Sequence, residues 1–277
     1  MKKIKNSLIY ILLSLAAISM LFPFMWMLMN SFNTESSIFK VPPNLIPDLL
    51  FTPRMFENYQ QVLGTFHFGR YTLNSFMVAG TSAMGQVLTC SLAGFTFAMM
   101  KFRGRNVLFA LLLGTMMIPV QVTIIPEFIL MMKINWLDTY LPLIVPSLLL
   151  GSFGTFMYKE FFENVPSSLL DAGAVDGAGA FTIYFKLYLP QSQSQAATLF
   201  IIAFMNNWND LLRPILYISS EKLMTVTMAL TQFQSQYTAK WNLLLTGGVL
   251  SILPLLALYM FLQKYIIEGV SSTGTKG

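Results

Sequence analysis

Few residues of this 277-residue chain have the chemistry of a catalyst. Cys90 is the only cysteine and His67 the only histidine, which excludes an internal disulfide, a multi-cysteine metal site and a His-based nucleophile relay. No lysine is followed by serine or threonine, as a phosphate-cradling P-loop requires. We therefore expect no enzyme activity, no ATPase site, and no metal or cofactor bound by this chain.

The most informative segment is polar and glycine-rich and lies at about 164–190. Ser168, with Asp171 three residues later, is typical of a helix start, and Asp176-Gly177 is typical of the turn that ends a helix. Small side chains lie between these two signals: Ala172, Gly173 and Ala174. A short helix of this kind lets another backbone approach closely.

Four aromatic residues follow this turn at helical spacing: Phe181, Tyr184, Phe185 and Tyr188. The spacing predicts one aromatic face of a second helix, which anchors the segment to the rest of the protein. Pro190 is tolerated near the start of the next helix, where the first amides lack partners. Two interpretations stay open: a projection that enters a groove on another protein, and an ordinary helical hairpin.

Two other groups of residues are candidates for a solute pathway. Pro119 and Pro126 interrupt an apolar run, which predicts a bent or broken helix that lines a cavity. Glu127 follows Pro126 directly. A position at the rim, where water hydrates its carboxylate, is favoured over one in the pathway, because burying a charge is costly.

A group of amides surrounds a tryptophan near the end of the fifth apolar stretch: Asn206, Asn207, Trp208 and Asn209. An indole stacks on sugar rings and amides bind hydroxyls, so contact with a carbohydrate is one interpretation. A tryptophan at the membrane–water interface is the slightly favoured alternative.

The elements that must position these residues are apolar helices. Charged residues make up 10% of the chain and the mean hydropathy is +0.61. Asp, Glu, Lys and Arg are absent from six long stretches: those between Lys5 and Glu35, Arg70 and Lys101, Arg105 and Glu127, Asp138 and Lys159, Lys186 and Asp210, and Lys240 and Lys264. A bilayer core needs about 20 apolar residues per helix, so the pattern predicts an all-α membrane protein with six transmembrane helices.

The predicted spans have approximate limits: Leu8 to Met29, Asn74 to Met100, from Asn106 onward, Thr139 to Tyr158, Gln193 to Leu212, and Trp241 to Leu262. We divide the chain into an anchor helix with an external loop (1–69), a transmembrane domain of five helices with its inner loop (70–264) and a cytoplasmic tail (265–277). The first span is long and lacks a cleavage site, so a retained anchor is favoured over a secretory signal.

The formal charge of +5 is interpreted as a membrane property rather than as nucleic-acid binding. Basic clusters precede the first span and follow the second, at Lys2 to Lys5 and Lys101 to Arg105. If spans alternate, both clusters lie in the cytoplasm beside anionic lipid. Both chain termini are then expected in the cytoplasm of a multi-pass protein of the cell membrane.

The segment at 164–190 resembles the cytoplasmic coupling loop of ABC-importer permeases, whose pattern is Glu-Ala-Ala, two residues, Asp-Gly-Ala, an aromatic, then Leu-Pro. The matching residues are Asp171, Ala172, Gly173, Asp176, Gly177, Ala178, Tyr184, Leu189 and Pro190. Asp171 and Gly173 depart from the pattern's Glu and Ala, and Ser194 stands where a second proline is common.

The rest of the chain is similar to the maltose-type carbohydrate permeases. This similarity is carried by Asn74-Ser75, Gly114 to Pro119, Pro126, Trp208-Asn209-Asp210, Pro254, Gln263-Lys264 and the Gly-rich ending with Lys276-Gly277. The resemblance implies a type-1 ABC importer permease fold and a second permease subunit as heterodimer partner. It also implies two cytoplasmic ATPase subunits that use ATP and an extracytoplasmic solute-binding protein. A permease for a non-sugar solute and, lower, an ion-coupled secondary carrier are the alternatives.

Overall fold

A computed structural model describes residues 2–42, 44, 46–149, 151–234 and 240–273. Its helices, in chain order, are α1 (Lys2–Asn30), α2 (Glu35–Ile38), α3 (Glu57–Gln60), α4 (Phe68–Met99), α5 (Arg105–Thr115), α6 (Val120–Lys133), α7 (Leu141–Leu148), α8 (Ser152–Glu163), α9 (Ser168–Val175), α10 (Ala180–Ile183), α11 (Leu189–Gln191), α12 (Gln193–Trp208), α13 (Leu212–Tyr217), α14 (Val226–Thr231) and α15 (Trp241–Thr273). Two π-helical turns, Gln61–Thr65 and Tyr184–Tyr188, and a 3-10 turn, Glu221–Leu223, complete the described regular structure. The all-α prediction is confirmed.

The helices that can span a membrane are identified by their length and their apolar composition. Within the described ranges, four stretches are long and apolar enough to cross a bilayer: Asn6–Asn30, Phe68–Met99, Leu141–Glu163 and Trp241–Tyr265. The α5–α6 pair makes a fifth if the two helices form one bent span. The 16-residue α12 occupies most of the predicted fifth span and is shorter than these stretches. The count is compatible with six spans, although helix length alone does not confirm that number.

Two predicted helix ends differ from the structure. The fifth span was expected to reach Leu212, but α12 ends at Trp208 and α13 begins as a separate helix at Leu212. The sixth was expected to end near Leu262, but α15 continues to Thr273, into the segment assigned to the tail. Apolar composition marks where a helix can lie in lipid, whereas the helix itself continues as long as its backbone hydrogen bonds do.

The predicted break in the third span is present. Helices α5 and α6 meet at 97°, and Pro119 is the extended residue immediately before α6. Proline has no amide hydrogen to donate, so a helix that reaches Pro119 loses a bond there and turns. Pro126 lies inside α6, which continues through it.

The chain forms two compact units, one from residues up to 72 with 228–255 and the other from 73–227 with the described chain from 256 on. In the first unit, the buried amide of Asn58 joins three segments. Its Nδ2 donates to the carbonyls of Ser31 (2.8 Å) and Asn33 (2.9 Å), and its Oδ1 accepts from Nδ2 of Asn242 (2.8 Å). A buried polar side chain must be paired in this way, so Asn58 sets the positions of its neighbours.

In the second unit, small residues bring α4 and α8 into backbone contact. A Cβ built on Gly94 would lie 2.5 Å from Cβ of Tyr158 and 2.9 Å from the backbone nitrogen of Lys159. One helix turn away, Sγ of Cys90 donates to the carbonyl of Gly151 at 3.2 Å. The small residues of the second span, which were predicted to let another helix approach closely, therefore pack against α8.

In the same unit, one carboxylate holds the turn at residue 138. Asp138, in the left-handed conformation with φ 55°, accepts backbone hydrogen bonds from Ser219 (3.0 Å) and Ser220 (2.8 Å) and a third from the Ser220 hydroxyl. Its own amide donates to the carbonyl of Tyr217 at 2.7 Å. The hydrogen bonds from Ser220 and Ser219 lower the pKa of the Asp138 carboxyl.

Gly94→Ala should destabilise the protein by about 1–3 kcal/mol, because the added methyl meets backbone atoms that cannot move aside. Gly80→Ala in the same helix is the matched control, since a Cβ there has no neighbour within 4 Å. The measurement is the thermal unfolding midpoint of the detergent-solubilised protein. Equal midpoints for the two variants would contradict the close approach of α4 and α8.

The Asp138 contacts predict an acid-sensitive turn. The folded pKa lies below the unfolded value of about 3.9, so the stabilisation is present above about pH 4 and is lost as pH falls through the folded pKa. Asp138→Asn introduces a residue that also adopts the left-handed backbone conformation but whose side chain cannot ionise. We expect proteolysis at residues 217–220 to rise steeply below pH 4 in the parent protein and to be nearly independent of pH in the variant.

Candidate functional site

The coupling-loop candidate begins with the short helix α9, which starts at the predicted residue Ser168. Neither Ser167 nor Ser168 caps it through its side chain in the described structure. The amide of Leu169 instead donates to the Pro166 carbonyl, and those of Leu170 and Asp171 donate to the Ser167 carbonyl. At the other end, the amide of Ala178 donates to the carbonyl of Gly173 (2.9 Å) and that of Gly177 to Ala174 (3.1 Å). These two bonds form a Schellman motif, which ends the helix rigidly.

Gly177 occupies the position in this motif that requires a left-handed backbone. Its φ is 74°, and a Cβ on it would meet no atom within 4 Å. The need for glycine here is therefore conformational, and the space beside it is open. Asp171, Ala172 and Asp176 are exposed around this helix end.

Gly173 and the following helical segment close the loop into a hairpin. A Cβ on Gly173 would lie 2.9 Å from Cγ1 of Ile183 and 3.4 Å from Cδ1 of Leu187. The face of α9 that has only small side chains therefore packs within the loop, against the helical segment that follows. Pro190 is exposed in α11, just before α12.

Two tyrosines anchor the hairpin to the helix bundle. The ring of Phe95 lies 5.3 Å from that of Tyr184 and 5.0 Å from that of Tyr188, and Phe162 packs 5.7 Å from Tyr188. The hydroxyls of Tyr184 and Ser91 are hydrogen-bonded at 2.6 Å. Burial raises the pKa of both tyrosines above its ordinary value.

The other two aromatic residues of the predicted face are not buried. Phe181 is 68% exposed and Phe185 is 55% exposed, so the buried anchor is made by the two tyrosines and not by all four aromatic residues. Residues Tyr184–Tyr188 form a π-helical turn, in which the ring of Phe185 stays in edge-to-face contact with that of Tyr184 at 4.8 Å. Val175, near the end of α9, is 87% exposed, so the loop carries exposed apolar side chains on both of its helical segments, which the sequence pattern did not indicate.

The second unit contains a polar cavity of about 490 Å³, and two of the pathway candidates, Asn206 and Asn207, line it. Its lining includes Gln86, Gln121, Asn206, Asn207, Asp210 and Arg213. Of these, only Asn206 and Asn207 were named as site residues from the sequence. Gln86 and Gln121 are polar residues inside apolar stretches, which was the available signal for them.

The structure separates the remaining pathway candidates from this cavity. Trp208 is 2% exposed and stacks on Phe204 at 5.5 Å, so it packs within the protein and does not line the cavity. Asn209 is exposed, and Pro119 lies at the break before α6. Glu127 is half-buried in α6 and interacts with the buried Tyr217 of α13.

Tyr217 joins α13 to α6. Its ring stacks on Phe128 with an interplanar angle of 9° and a centroid distance of 6.2 Å. Burial and then the negative charge of Glu127 raise the pKa of Tyr217 to about 12. The contact fixes the position of α13, and with it the side of the cavity that carries Arg213.

Comparison with known proteins gives a consistent result. The family profile "Binding-protein-dependent transport system inner membrane component" matches residues 90–272. The arabinooligosaccharides transport system permease protein AraQ of Bacillus subtilis (strain 168) is 29% identical over 279 residues, covering 99% of this chain and 96% of AraQ. The lactose transport system permease protein LacG of Rhizobium radiobacter is 30% identical over 261 residues, covering 94% and 93%.

A third relative has a different solute in its name. The sn-glycerol-3-phosphate transport system permease protein UgpE of Yersinia enterocolitica is 29% identical over 269 residues, with 94% of each chain covered. Among solved structures, a chain of a bacterial ABC transporter involved in the import of the acidic polysaccharide alginate superposes with a TM-score of 0.80. It covers 95% of this chain and 96% of its own length at 19% identity, which establishes the fold.

Gly177→Ala should distort the end of α9, because a left-handed residue with a Cβ is strained by about 1–2 kcal/mol. Gly179→Ala is the matched control: its φ is −70° and a Cβ there also has no neighbour within 4 Å. Protease cleavage within residues 173–180 of the purified protein should increase for the first variant only. Equal cleavage of both variants would show that the conformation of Gly177 does not matter.

Proposed function

The chain belongs to the family of binding-protein-dependent transport system inner membrane components, and on that premise we propose that it forms half of the channel of an ATP-driven carbohydrate importer. It is a membrane-embedded permease of a transport system, and its family is a transport family rather than a catalytic one. The observation that carries the proposal is the anchored hairpin of α9 to α11 with its exposed apolar tip.

The hairpin has the mechanical properties that a coupling element needs. Its tip carries the exposed apolar side chain of Val175, while its base is fixed in the bundle by Tyr184 and Tyr188. A force applied to the tip by another protein therefore passes to helices α4 and α8 through packed rings rather than being lost in a flexible loop. An ordinary helical hairpin has no need to expose these large apolar side chains to water.

We propose that the tip docks on a separate cytoplasmic ATPase, which supplies the energy. The coupling residues are Asp171, Ala172, Gly173, Asp176, Gly177, Ala178, Tyr184 and Pro190, with Val175, Phe181 and Phe185 added from the exposure of their side chains. Two such ATPases, a second permease subunit and an extracytoplasmic solute-binding protein complete the transporter. ATP is bound by the ATPases and not by this chain.

The arrangement in the membrane follows from the same proposal. The loop and both termini face the cytoplasm, and residues 1–69, 70–264 and 265–277 act as anchor with external loop, permease domain and tail. Glu127 lies near the pathway, and the turn at Pro119 allows α5 and α6 to line a cavity rather than lipid. Alternating access then requires that ATP binding favour one of two arrangements of these helices.

A carbohydrate is the proposed solute because AraQ and LacG, which align over nearly the whole chain, are named for sugars. A second candidate is a polyol phosphate, since UgpE aligns equally well. An ion-coupled secondary carrier is disfavoured because such carriers need ionisable residues inside their spans. In the six predicted spans, long stretches are free of Asp, Glu, Lys and Arg.

Val175→Asp should uncouple the transporter, because a charge at the docking surface is desolvated without a partner. Ile46→Asp is the matched control: Ile46 is 67% exposed in the predicted external loop, away from the coupling loop in sequence. In proteoliposomes with the complete transporter, we expect ATP-dependent uptake of lactose or arabinotriose to fall at least about tenfold for Val175→Asp only.

Co-purification of the ATPase with each variant separates loss of docking from loss of folding. Uptake by this chain alone, driven by an ion gradient and independent of ATP, would rule out the proposed importer. Normal ATP-dependent uptake by Val175→Asp would reject the docking surface.

A further inference from the structure

The cavity beside α12 and α13 is polar in a protein whose helices are mostly apolar. Its volume of about 490 Å³ lies within the usual range for small-molecule sites. Six of its lining side chains carry amide, hydroxyl or charged groups: Gln86, Gln121, Ser147, Asn206, Asn207 and Arg213. A seventh, Asp210, supplies a carboxylate. Ser147 donates to Oδ1 of Asn207 at 3.2 Å, and Nδ2 of Asn207 donates to the carbonyl of Ala203 at 2.8 Å. The other polar groups of the lining are costly in a membrane protein unless a ligand or water hydrogen-bonds to them.

The two charged groups of the cavity are not paired with each other. Within the described ranges, neither Asp210 nor Arg213 takes part in an ion pair within 4.0 Å. The Nε atom of Arg213 is buried and has no hydrogen-bond partner. The carboxylate of Asp210 accepts the backbone amide of Arg213 at 3.3 Å, which leaves most of its acceptor capacity free.

Both groups are held in place from outside the cavity. The hydroxyl of Thr227 donates to the carbonyl of Asp210 at 2.7 Å. Arg213 lies in α13, which Tyr217 fixes against Phe128 of α6. These contacts fix the backbone at both residues, which lowers the cost of ordering the site when a ligand binds.

The chemistry of the lining indicates what fits. A hydroxyl group both donates and accepts, so two neighbouring hydroxyls can donate to Asp210 and accept from Arg213 at the same time. The amides of Asn206 and Gln86 have the same dual capacity. An anionic group would gain from Arg213 but would be repelled by Asp210, and the formal charge of the two side chains together is zero.

We propose that this cavity is a solute-binding station within this chain and that it selects uncharged polyhydroxylated solutes, with Asp210 and Arg213 binding adjacent hydroxyls. The inference rests on the proposed import function and adds to it a direct contact between this subunit and the solute. It also adds a charge preference, which the names of the relatives leave open because sn-glycerol-3-phosphate is anionic.

The test measures binding to the cavity without the solute-binding protein, which would otherwise select the solute first. Saturation-transfer difference NMR on the permease–ATPase complex in nanodiscs detects weak binding, with lactose and sn-glycerol 3-phosphate as the two probes. We expect a lactose signal that exceeds the glycerol-phosphate signal. Arg213→Gln and Asp210→Asn should each weaken lactose binding about tenfold, the usual effect of removing one hydrogen bond to a charged group.

Arg103→Gln is the matched control, because Arg103 is exposed in the basic turn before α5 and does not line the cavity. Should Arg213→Gln fail to assemble with the ATPase, Arg213→Lys and Asn206→Ala test the same cavity with smaller changes. For these two variants, reduced lactose binding supports the proposal and unchanged binding overturns it.

Three outcomes overturn the inference. Glycerol-phosphate binding that exceeds lactose binding and strengthens in Asp210→Asn identifies an anion site instead. Lactose binding that neither cavity variant changes, or no binding of either probe while the complete transporter still imports sugar, shows that the cavity is not a solute site. In both of the latter cases the proposed import function stands, whereas ATP hydrolysis without import of any sugar defeats that function itself.

Discussion

The close approach of α4 and α8 is the constraint on which the rest of the second unit depends. Gly94 lets the two backbones meet, with a would-be Cβ only 2.5 Å from Tyr158. Lipid tails are as apolar as leucine, so burial of apolar surface does little to join membrane helices, and close packing of small residues must do it. The approach places Phe95 and Phe162 side by side at 6.1 Å, where they receive the two tyrosines of the inner loop.

This arrangement links the inner loop to the membrane helices by packing instead of by a flexible tether. Tyr184 and Tyr188 fill the space beside Phe95, and the Schellman motif at Gly177 keeps the tip of the loop in one conformation. The exposed apolar side chains then lie on a rigid support. Rigid support is what a moving part needs if a displacement at one end is to reach the other.

The polar cavity depends on a different physical property, the broken helix. Helices α5 and α6 turn at Pro119, and α12 ends before α13 begins, and residues beside these two breaks, Gln121, Asp210 and Arg213, line the cavity. Asp138 and Tyr217 hold the neighbouring turns in place. Hydrogen bonds and ring contacts therefore hold these irregular segments in place.

The sequence by itself determined the class of protein, the positions of its apolar helices, the break at Pro119 and the start and end of α9. These features depend on local properties, such as the absence of charge over some 20 residues, a missing amide hydrogen or a left-handed glycine, and each can be evaluated from a short window. The tertiary structure alone decided that Tyr184 and Tyr188 are buried while Phe181 and Phe185 are exposed, and that Trp208 packs inside while Arg213 lines a cavity. Burial is decided by residues far apart in the chain that happen to pack against each other, and no periodicity within one segment contains that information.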